Sequence, residues 1–141
     1  PLKKEPVIIG GDLVGLELAE FLTERGKKVT VVERSNDLGP NLSIVRRSRV
    51  IHLLKSHGVN IIKNAKDIKI SSSDVNFELD GSPQSITANQ VIIAMGTEPN
   101  TEFAHELIEN NFNVSMIGDC TSVGYIEGAI SDARIAVKEI I

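Results

Sequence analysis

The sequence predicts an α/β protein built on a parallel sheet, and residues 7–33 carry most of the evidence. Residues 7–10 form an apolar, β-branched run that ends at a glycine, a pattern typical of a buried parallel strand. Residues 13–25 show the helical spacing of apolar side chains and are followed by Gly26, and residues 28–33 form a second apolar strand. A strand, a glycine turn, a helix and a second strand with an acidic end are the parts of a Rossmann-like βαβ unit.

The remaining elements continue the alternation of strands and helices, except in one segment. Between residues 66 and 90 apolar and polar residues alternate and Asp80-Gly81 marks a turn, which predicts an antiparallel meander of short strands in place of a crossover helix. The other predicted elements, in chain order, are a helix that begins at Asn41 or Ser43 and ends near His57, a strand at 59–62, a strand at 91–95, a helix at 101–109, a strand at 114–117 and a helix at 126–141.

We expect the five parallel strands to form one sheet with the order 3-2-1-4-5. In this arrangement residues 114–117 pair beside residues 91–95, because consecutive apolar residues are costly to leave in water. The alternative is exchange of this strand with a second copy of the chain through a hinge at 96–113, which would give a homodimer. The side chains predicted to face inward are Val14, Leu18, Phe21 and Leu22 in the first helix and Ile126, Ile130, Ala133 and Val137 in the last.

Composition excludes several functional classes. The chain has 141 residues and a net charge of −4, so it does not have the basic composition of a nucleic-acid-binding protein. No apolar run approaches the roughly 18 residues of a membrane span. The single cysteine and the lack of a recognisable secretory signal favour a cytoplasmic protein.

Pro1 stands where an initiator methionine is usual, so we expect a piece of a longer protein.

The glycine turn after the first strand carries the binding chemistry. Gly10 makes the tight turn and Gly15 allows the helix to pack closely on the strand. The amide groups of Asp12, Leu13 and Val14 open the helix and offer hydrogen bonds and a positive dipole end to a pyrophosphate. The motif G-x-G-x-x-G requires a glycine where this chain has Asp12, whose β-carbon and carboxylate oppose a pyrophosphate. Asp12 either caps the helix itself, in the position of the phosphate, or leaves a weakened but usable site.

Glu33, at the end of the second strand, is the expected ribose ligand. Its carboxylate would accept hydrogen bonds from the adenosine ribose hydroxyls and repel a 2′-phosphate, which favours NAD over NADP. Arg34 follows directly and could instead bind a 2′-phosphate. The structural alternative for Glu33 is a solvated acid at a strand end.

No set of residues predicts catalysis or metal binding by the chain itself. The cluster of Arg46, Arg47 and Arg49 is typical of a solvated helix face, and Cys120 has no second thiol to pair with. No nucleophile is paired with a base. Metal-ligand spacing is lacking around each of the histidines, His52, His57 and His105.

Several segments resemble a known family. Residues 7–33 are similar to the NAD(P)-binding domain of the two-dinucleotide flavoprotein oxidoreductases. Residues 37–42 and 45–47 resemble the C-terminal part of the old yellow enzyme-related 2,4-dienoyl-CoA reductase and 2-enoate reductase family. The segment 94–101 is similar to the A-x-G-x-x-P-N-T segment of that group, and 114–120 resembles its closing G-D motif. The resemblance covers nearly the whole chain, with the motifs in the right order.

The resemblance implies an oxidoreductase in which NAD(P)H passes hydride to FAD. Electrons would continue through an iron–sulfur cluster to FMN, where an enoate or enoyl-CoA is reduced. The implied residue roles are pyrophosphate binding by Gly10, Gly11 and Gly15, a position near the nicotinamide for Glu17, ribose binding by Glu33, the lining of the cofactor crevice by Gly96, and binding of the FAD ribityl chain by Asp119. Without the resemblance, Glu17 is a first-turn acid favoured by the helix dipole, and Asp119 is a strand-end acid.

The resemblance also divides the chain. Residues 1–100 correspond to the NAD(P)-binding domain, and residues 101–141 to a segment of the FAD domain, which we expect here to complete the same sheet. The sequence contains no FMN barrel, no cysteine set for an iron–sulfur cluster and no second glycine motif for FAD. The expected partners are therefore the FAD and FMN domains of a parent protein. The competing hypothesis is a non-catalytic domain that binds ADP or no nucleotide, and Asp12 is the feature that favours it.

Overall fold

The computed structural model describes residues 5–140 and separates the chain into two compact units, Pro1–Gly96 and Thr97–Ile141. The elements of the first unit are β1 Val7–Ile9, α1 Leu13–Thr23, β2 Thr30–Val32, α2 Ile44–Ser56, β3 Asn60–Ile62, β4 Lys66–Ile70, β5 Asp74–Leu79, β6 Ser82–Thr87 and β7 Val91–Ile93. The elements of the second unit are α3 Glu102–Glu109, a 3₁₀ turn at Gly118–Cys120 and α4 Tyr125–Ile140. The predicted end of the last helix at Ile141 lies outside the described residues.

Four parallel strands form the central sheet of the first unit, in the order β3-β2-β1-β7. In β1, Ile8 is in register with Val31 of β2 on one side and with Ile92 of β7 on the other. The predicted α/β class and the order of the first four parallel strands are therefore confirmed. β1 lies at the centre of this order, so the chain leaves it toward β2 and returns to its other side at β7.

The predicted fifth strand is wrong. Residues 112–117 have no strand structure, and the described parallel sheet has four strands. These residues belong to the second unit, where the next residue, Gly118, donates its N–H to Asp132 Oδ2 in α4 at 3.0 Å. Residues 112–117 thus lead into a turn that is attached to α4, and they do not form the distant strand pairing that hydrophobicity alone had favoured. Exchange of this segment with a second copy of the chain, the alternative that would give a homodimer, stays a prediction.

The two faces of the parallel sheet are covered differently, because side chains alternate along each strand. Ile8 and Val31 point toward the helices, and Val7, Ile9 and Val32 point toward the antiparallel sheet. The helical side of the core adds Leu16, Ala19, Leu22, Val50 and Leu54, and the other side adds Ala65, Val75, Phe77 and Ala88. The meander therefore covers the face that a crossover helix covers in a simpler fold.

The meander has the predicted form of three antiparallel strands in the order β4-β5-β6. Asp80 and Gly81, with φ angles of 51° and 77°, connect β5 to β6, and Leu79 pairs with Ser82 across the turn. Two consecutive positive φ angles define the type I′ turn that suits a tight hairpin. β4 contains an irregularity between Lys66 and Lys69, where its register against β5 shifts.

Several side chains predicted to face inward are exposed. In α1, Val14 is 62% and Phe21 is 46% exposed, whereas the buried stripe runs through Gly15, Leu16, Ala19 and Leu22. The stripe begins one residue later than predicted because Gly15, not Val14, lies against the glycine turn. In α4, Ile126, Ile130 and Val137 are also exposed.

No helix in the described part of the chain is both long and apolar enough to cross a membrane.

Candidate functional site

The turn between β1 and α1 is closely packed. Gly10 has a φ angle of 115°, a conformation that favours glycine, and a β-carbon at this position would overlap with the carbonyl oxygen of Ala94. A β-carbon at Gly15 would overlap with the carbonyl oxygen of Gly10. The fold itself therefore requires glycine at both positions, whatever binds at the turn.

Glu33 fastens the glycine turn to the end of β2. Its Oε2 accepts a hydrogen bond from the backbone N–H of Gly11 at 2.6 Å, and its Oε1 accepts one from the N–H of Ser35 at 2.7 Å. The side chain is half-buried and held in one place, so it is not the solvated strand-end acid of the structural alternative. Each carboxylate oxygen has more than one acceptor position, which leaves capacity for ribose hydroxyls.

Asp12 stands at the N-cap position of α1 without capping the helix. Its carbonyl oxygen accepts the first helical hydrogen bond from Leu16 N at 2.9 Å, but its side chain makes no cap hydrogen bond to the first turn. Its Oδ2 instead accepts a hydrogen bond from Asn41 Nδ2 at 3.3 Å. The capping alternative is therefore wrong, and a pyrophosphate site weakened by this carboxylate stays a prediction.

A cleft of about 220 Å³ opens where β1, β2 and β7 end. Ligands of open parallel sheets bind at the carboxyl ends of the strands. They bind where the strand order reverses, so that the connections from two neighbouring strands run in opposite directions. In this sheet that point lies between β1 and β7. The residues that line the cleft are Gly10, Asp12, Val32, Glu33, Arg34, Ala94, Met95 and Gly96.

Three of the lining residues, Val32, Ala94 and Met95, were not predicted from the sequence. The sequence contained a signal for Ala94 and Met95. Because β7 was predicted to pair in parallel with β1, the residues that follow Ile93 were expected beside those that follow Ile9. Of the predicted site residues, Gly10, Asp12, Glu33, Arg34 and Gly96 come together in the cleft.

Other predicted site residues on α1 do not line the cleft. Leu13 is half-buried, Val14 is exposed, and Glu17 Oε1 pairs with Arg46 Nη2 of α2 at 3.0 Å. The neighbouring Arg47 pairs with Asp37 at 3.0 Å. Two arginines predicted as a simply solvated face thus connect α2 to α1 and to the loop after β2, although exposed pairs of this kind contribute little stability.

Asp119 lies in the second unit, in the 3₁₀ turn before α4. Its Oδ1 accepts a hydrogen bond from the N–H of Gly124 at 3.0 Å, so it organises the loop that enters the helix. Its predicted contact with FAD stays a prediction. Cys120 Sγ lies 3.1 Å from the carbonyl oxygen of Ile117. Residues 5–140 contain no group of three or more His, Cys, Asp or Glu side chains that could hold a metal ion.

The chain is similar to known proteins over almost its whole length. The model of the pyridine nucleotide-disulphide oxidoreductase family matches residues 1–139. Bilirubin reductase of Mediterraneibacter gnavus is 32% identical over 133 residues, which cover 94% of this chain and 21% of that protein. NADH oxidase of Thermoanaerobacter brockii is 32% identical over 130 residues, which cover 91% of this chain and 20% of that protein.

Among solved structures, 2-naphthoyl-CoA reductase in complex with 2-naphthoyl-CoA superposes with a TM-score of 0.84 at 26% identity. The superposition covers 94% of this chain and 20% of that chain. The chain therefore spans about a fifth of the length of these relatives.

Proposed function

This chain belongs to the pyridine nucleotide-disulphide oxidoreductase family, and we propose that it is the NAD(P)H-binding part of a flavin-dependent oxidoreductase. In this role the first unit binds NAD(P)H and presents it to FAD, which other parts of a longer protein hold. A pyridine nucleotide and FAD are the cofactors of the family, in agreement with the sequence resemblance.

The cleft at the carboxyl ends of β1, β2 and β7 is the observation that carries this proposal. The glycine turn forms one wall of it, and the segment 94–96 forms the opposite wall. Glu33 lines the same cleft with its carboxylate held by two backbone N–H groups, which supports its proposed role as the ribose ligand. These features fit the adenosine half of a dinucleotide.

The pyrophosphate side fits less well. The first N–H groups of α1 and the positive end of its dipole suit a pyrophosphate, as in other helices that open after a glycine turn. Asp12 adds a carboxylate to this wall of the cleft. We therefore propose that the dinucleotide binds with low affinity, with a Kd above about 0.1 mM.

The chemistry of the proposed reaction comes from the cofactors. NAD(P)H supplies a hydride when bound, and the protein supplies binding and orientation. Glu33 fixes the ribose, and the glycine turn sets how closely the backbone approaches the phosphates. Residues of the described chain do not provide a nucleophile and base pair for the reaction itself.

We assign residues 101–141 to the FAD domain of a longer protein. The exposed apolar side chains Ile126, Ile130 and Val137 of α4 support this assignment, because such a surface is favourable only when another part of a protein covers it. Asp119 would then contact FAD. The FMN domain and an iron–sulfur cluster would belong to further parts of the same protein, as would the site of the final electron acceptor.

Calorimetric titration of the chain with NADH and with ADP tests the proposal. We expect NADH to bind more tightly than ADP, because the nicotinamide half adds contacts near the segment 94–96. Glu33→Ala should weaken both ligands by a similar factor, since both carry the adenosine ribose. Asp74→Ala, in β5 and outside the lining of the cleft, serves as the control.

A second function is supported by Asp12. A Rossmann-like domain whose pyrophosphate wall carries a carboxylate could bind ADP alone, or serve only as a structural domain. Equal affinity for NADH and ADP would favour the ADP-binding function. Failure of both ligands to bind would favour the structural role and would contradict the proposal.

A further inference from the structure

We propose that Asn41, in the loop between β2 and α2, is a positioning residue that holds the carboxylate of Asp12 away from the first N–H groups of α1. The inference rests on the proposed function, because it concerns the donors that the pyrophosphate of the dinucleotide would approach. Asn41 does not line the cleft, so it would act on the ligand only through Asp12.

The backbone of Asp12 suits a helix cap, but its side chain is directed elsewhere. Its φ and ψ angles of −89° and −171° are extended, as in residues whose side chain caps the following helix. In that role a carboxylate oxygen would accept a hydrogen bond from the N–H of Val14 or Gly15. These are among the donors that a pyrophosphate at the start of α1 needs. The side chain of Asp12 makes no such cap hydrogen bond in the structure.

The side-chain amide of Asn41 draws the carboxylate toward the loop. Its Nδ2 donates a hydrogen bond to Oδ2 of Asp12 at 3.3 Å. The acceptor is charged, so the amide also offsets part of the negative charge of Asp12. Capping is absent in the conformation that makes this bond, which indicates that the two interactions compete for the carboxylate.

The loop holds Asn41 in place from both sides. Before it, the N–H of Gly39 donates to the carbonyl oxygen of Gly11 at 2.8 Å, and a β-carbon at Gly11 would overlap with the buried side chain of Leu38. After it, Leu42 packs against the helical side of the core, and its N–H donates to the carbonyl oxygen of Gly39 at 3.0 Å. The amide of Asn41 is therefore presented by a loop that is itself attached to the glycine turn.

The two side chains then have opposite effects on the pyrophosphate wall. Asp12 lowers the affinity for pyrophosphate by its charge, whereas Asn41 prevents the same carboxylate from also occupying the N–H donors of α1. Loss of the amide should therefore weaken binding while Asp12 is present. The same loss should have no effect once the carboxylate has been removed.

A double-mutant cycle with Asp12→Gly and Asn41→Ala tests the inference, with the binding of NADH followed by NMR titration. We expect Asn41→Ala to raise the Kd about fivefold in the otherwise unaltered chain and to leave it unchanged in the Asp12→Gly background. A general loosening of the loop would instead weaken binding by the same factor in both backgrounds.

Asn36→Ala is the matched control in the same loop. Oδ1 of Asn36 accepts a hydrogen bond from Lys63 Nζ at 2.9 Å, and Asn36 does not line the cleft. This substitution should leave the Kd for NADH unchanged. Circular dichroism would show that Asn36→Ala and Asn41→Ala, both at exposed positions, leave the fold intact.

Hydrogen exchange without nucleotide provides a second readout. If Asp12 turns to cap α1 in the Asn41→Ala variant, the amide of Val14 or Gly15 should exchange about fivefold more slowly than in the unaltered chain, because the cap bond protects it. Unchanged exchange of both amides would show that Asn41 does not hold the carboxylate away from the helix, and would overturn the inference.

The failures of the inference and of the proposed function are distinguishable. If Asn41→Ala leaves the Kd unchanged, or weakens NADH equally in both backgrounds, Asn41 does not act through Asp12 and the proposed function still stands. If NADH binds to none of the variants, Asp12→Gly included, the proposed function fails, and the inference that depends on it fails as well.

Discussion

Asp12 and the glycines around it act at the scale of single residues. Gly10 and Gly15 allow a turn in which backbone atoms of β1, α1 and β7 approach closely, and no other residue type fits there. Asp12 is compatible with this packing but adds a carboxylate to the wall where a dinucleotide needs positive potential. The fold of the turn and its affinity for phosphate are thus determined by different residues.

We predict that Asp12→Gly tightens the binding of NADH. Removal of the carboxylate and its β-carbon relieves charge repulsion and crowding, and a gain of about 1–2 kcal/mol is expected for such a conflict. Calorimetry measures the change, and Asp12→Asn separates charge from bulk because it keeps the volume of the side chain. Tighter binding by the unaltered chain than by Asp12→Gly would contradict the prediction.

We also predict that Gly15→Ala destabilises the first unit. The added methyl group would overlap with the carbonyl oxygen of Gly10, and overpacking of this kind costs about 1–3 kcal/mol. Urea unfolding followed by circular dichroism measures the loss. Gly128→Ala is the control, since a β-carbon there meets nothing within 4 Å and alanine favours the helix by up to about 1 kcal/mol. An unchanged free energy of unfolding in Gly15→Ala would show that the turn can relax.

At the scale of elements, the antiparallel meander and the segment before α4 differ in whether their apolar side chains are buried. β5 buries Val75 and Phe77 against the parallel sheet, and the strand alternates as its sequence indicates. Residues 114–117 are equally apolar in sequence, yet Met116 and Ile117 stay exposed and form no strand.

Hydrogen exchange checks this difference. We predict fast exchange for the amides of residues 115–117, because no backbone hydrogen bond from them is found in the described part of the chain. The amides of Ile8 and Val31 should exchange slowly, since they lie in the centre of the parallel sheet. Strong protection of residues 115–117 would indicate a partner strand, and loss of that protection on dilution would indicate a second copy of the chain.

At the scale of the whole molecule, two compact units correspond to about a fifth of the length of the relatives. The first unit contains a complete parallel sheet with its cleft. The second contains two helices and a 3₁₀ turn, and the exposed apolar side chains of its last helix form a surface typical of a protein interface.

We predict that the purified chain carries no FAD. Asp119 is the predicted flavin contact, and the remaining contacts would come from other parts of a longer protein. Absorbance near about 450 nm, characteristic of the flavin ring system, measures the content of bound flavin. Addition of free FAD provides the control, since it should leave no absorbance with the protein after gel filtration. A yellow preparation would show that the chain alone holds the flavin.

The sequence by itself determined the class of fold, the order of four parallel strands and the position of the meander. These follow from local patterns: β-branched runs before glycine, helical periodicity, and the Asp80-Gly81 turn. The βαβ pattern also indicated Gly10 and Glu33 as parts of one binding site, and the resemblance to the family added Gly96; all three line the cleft.

Only the tertiary structure decided which apolar segments are buried and where side chains near the cleft point. Burial of residues 114–117 as a strand requires a partner strand that is distant in the sequence. The hydrophobicity of the segment does not show whether such a partner is present. The sequence allowed the side chain of Asp12 to cap the helix, whereas in the structure it makes no cap hydrogen bond and accepts one from Asn41 Nδ2. The irregularity in β4 between Lys66 and Lys69 likewise becomes visible only in the register of this strand against β5.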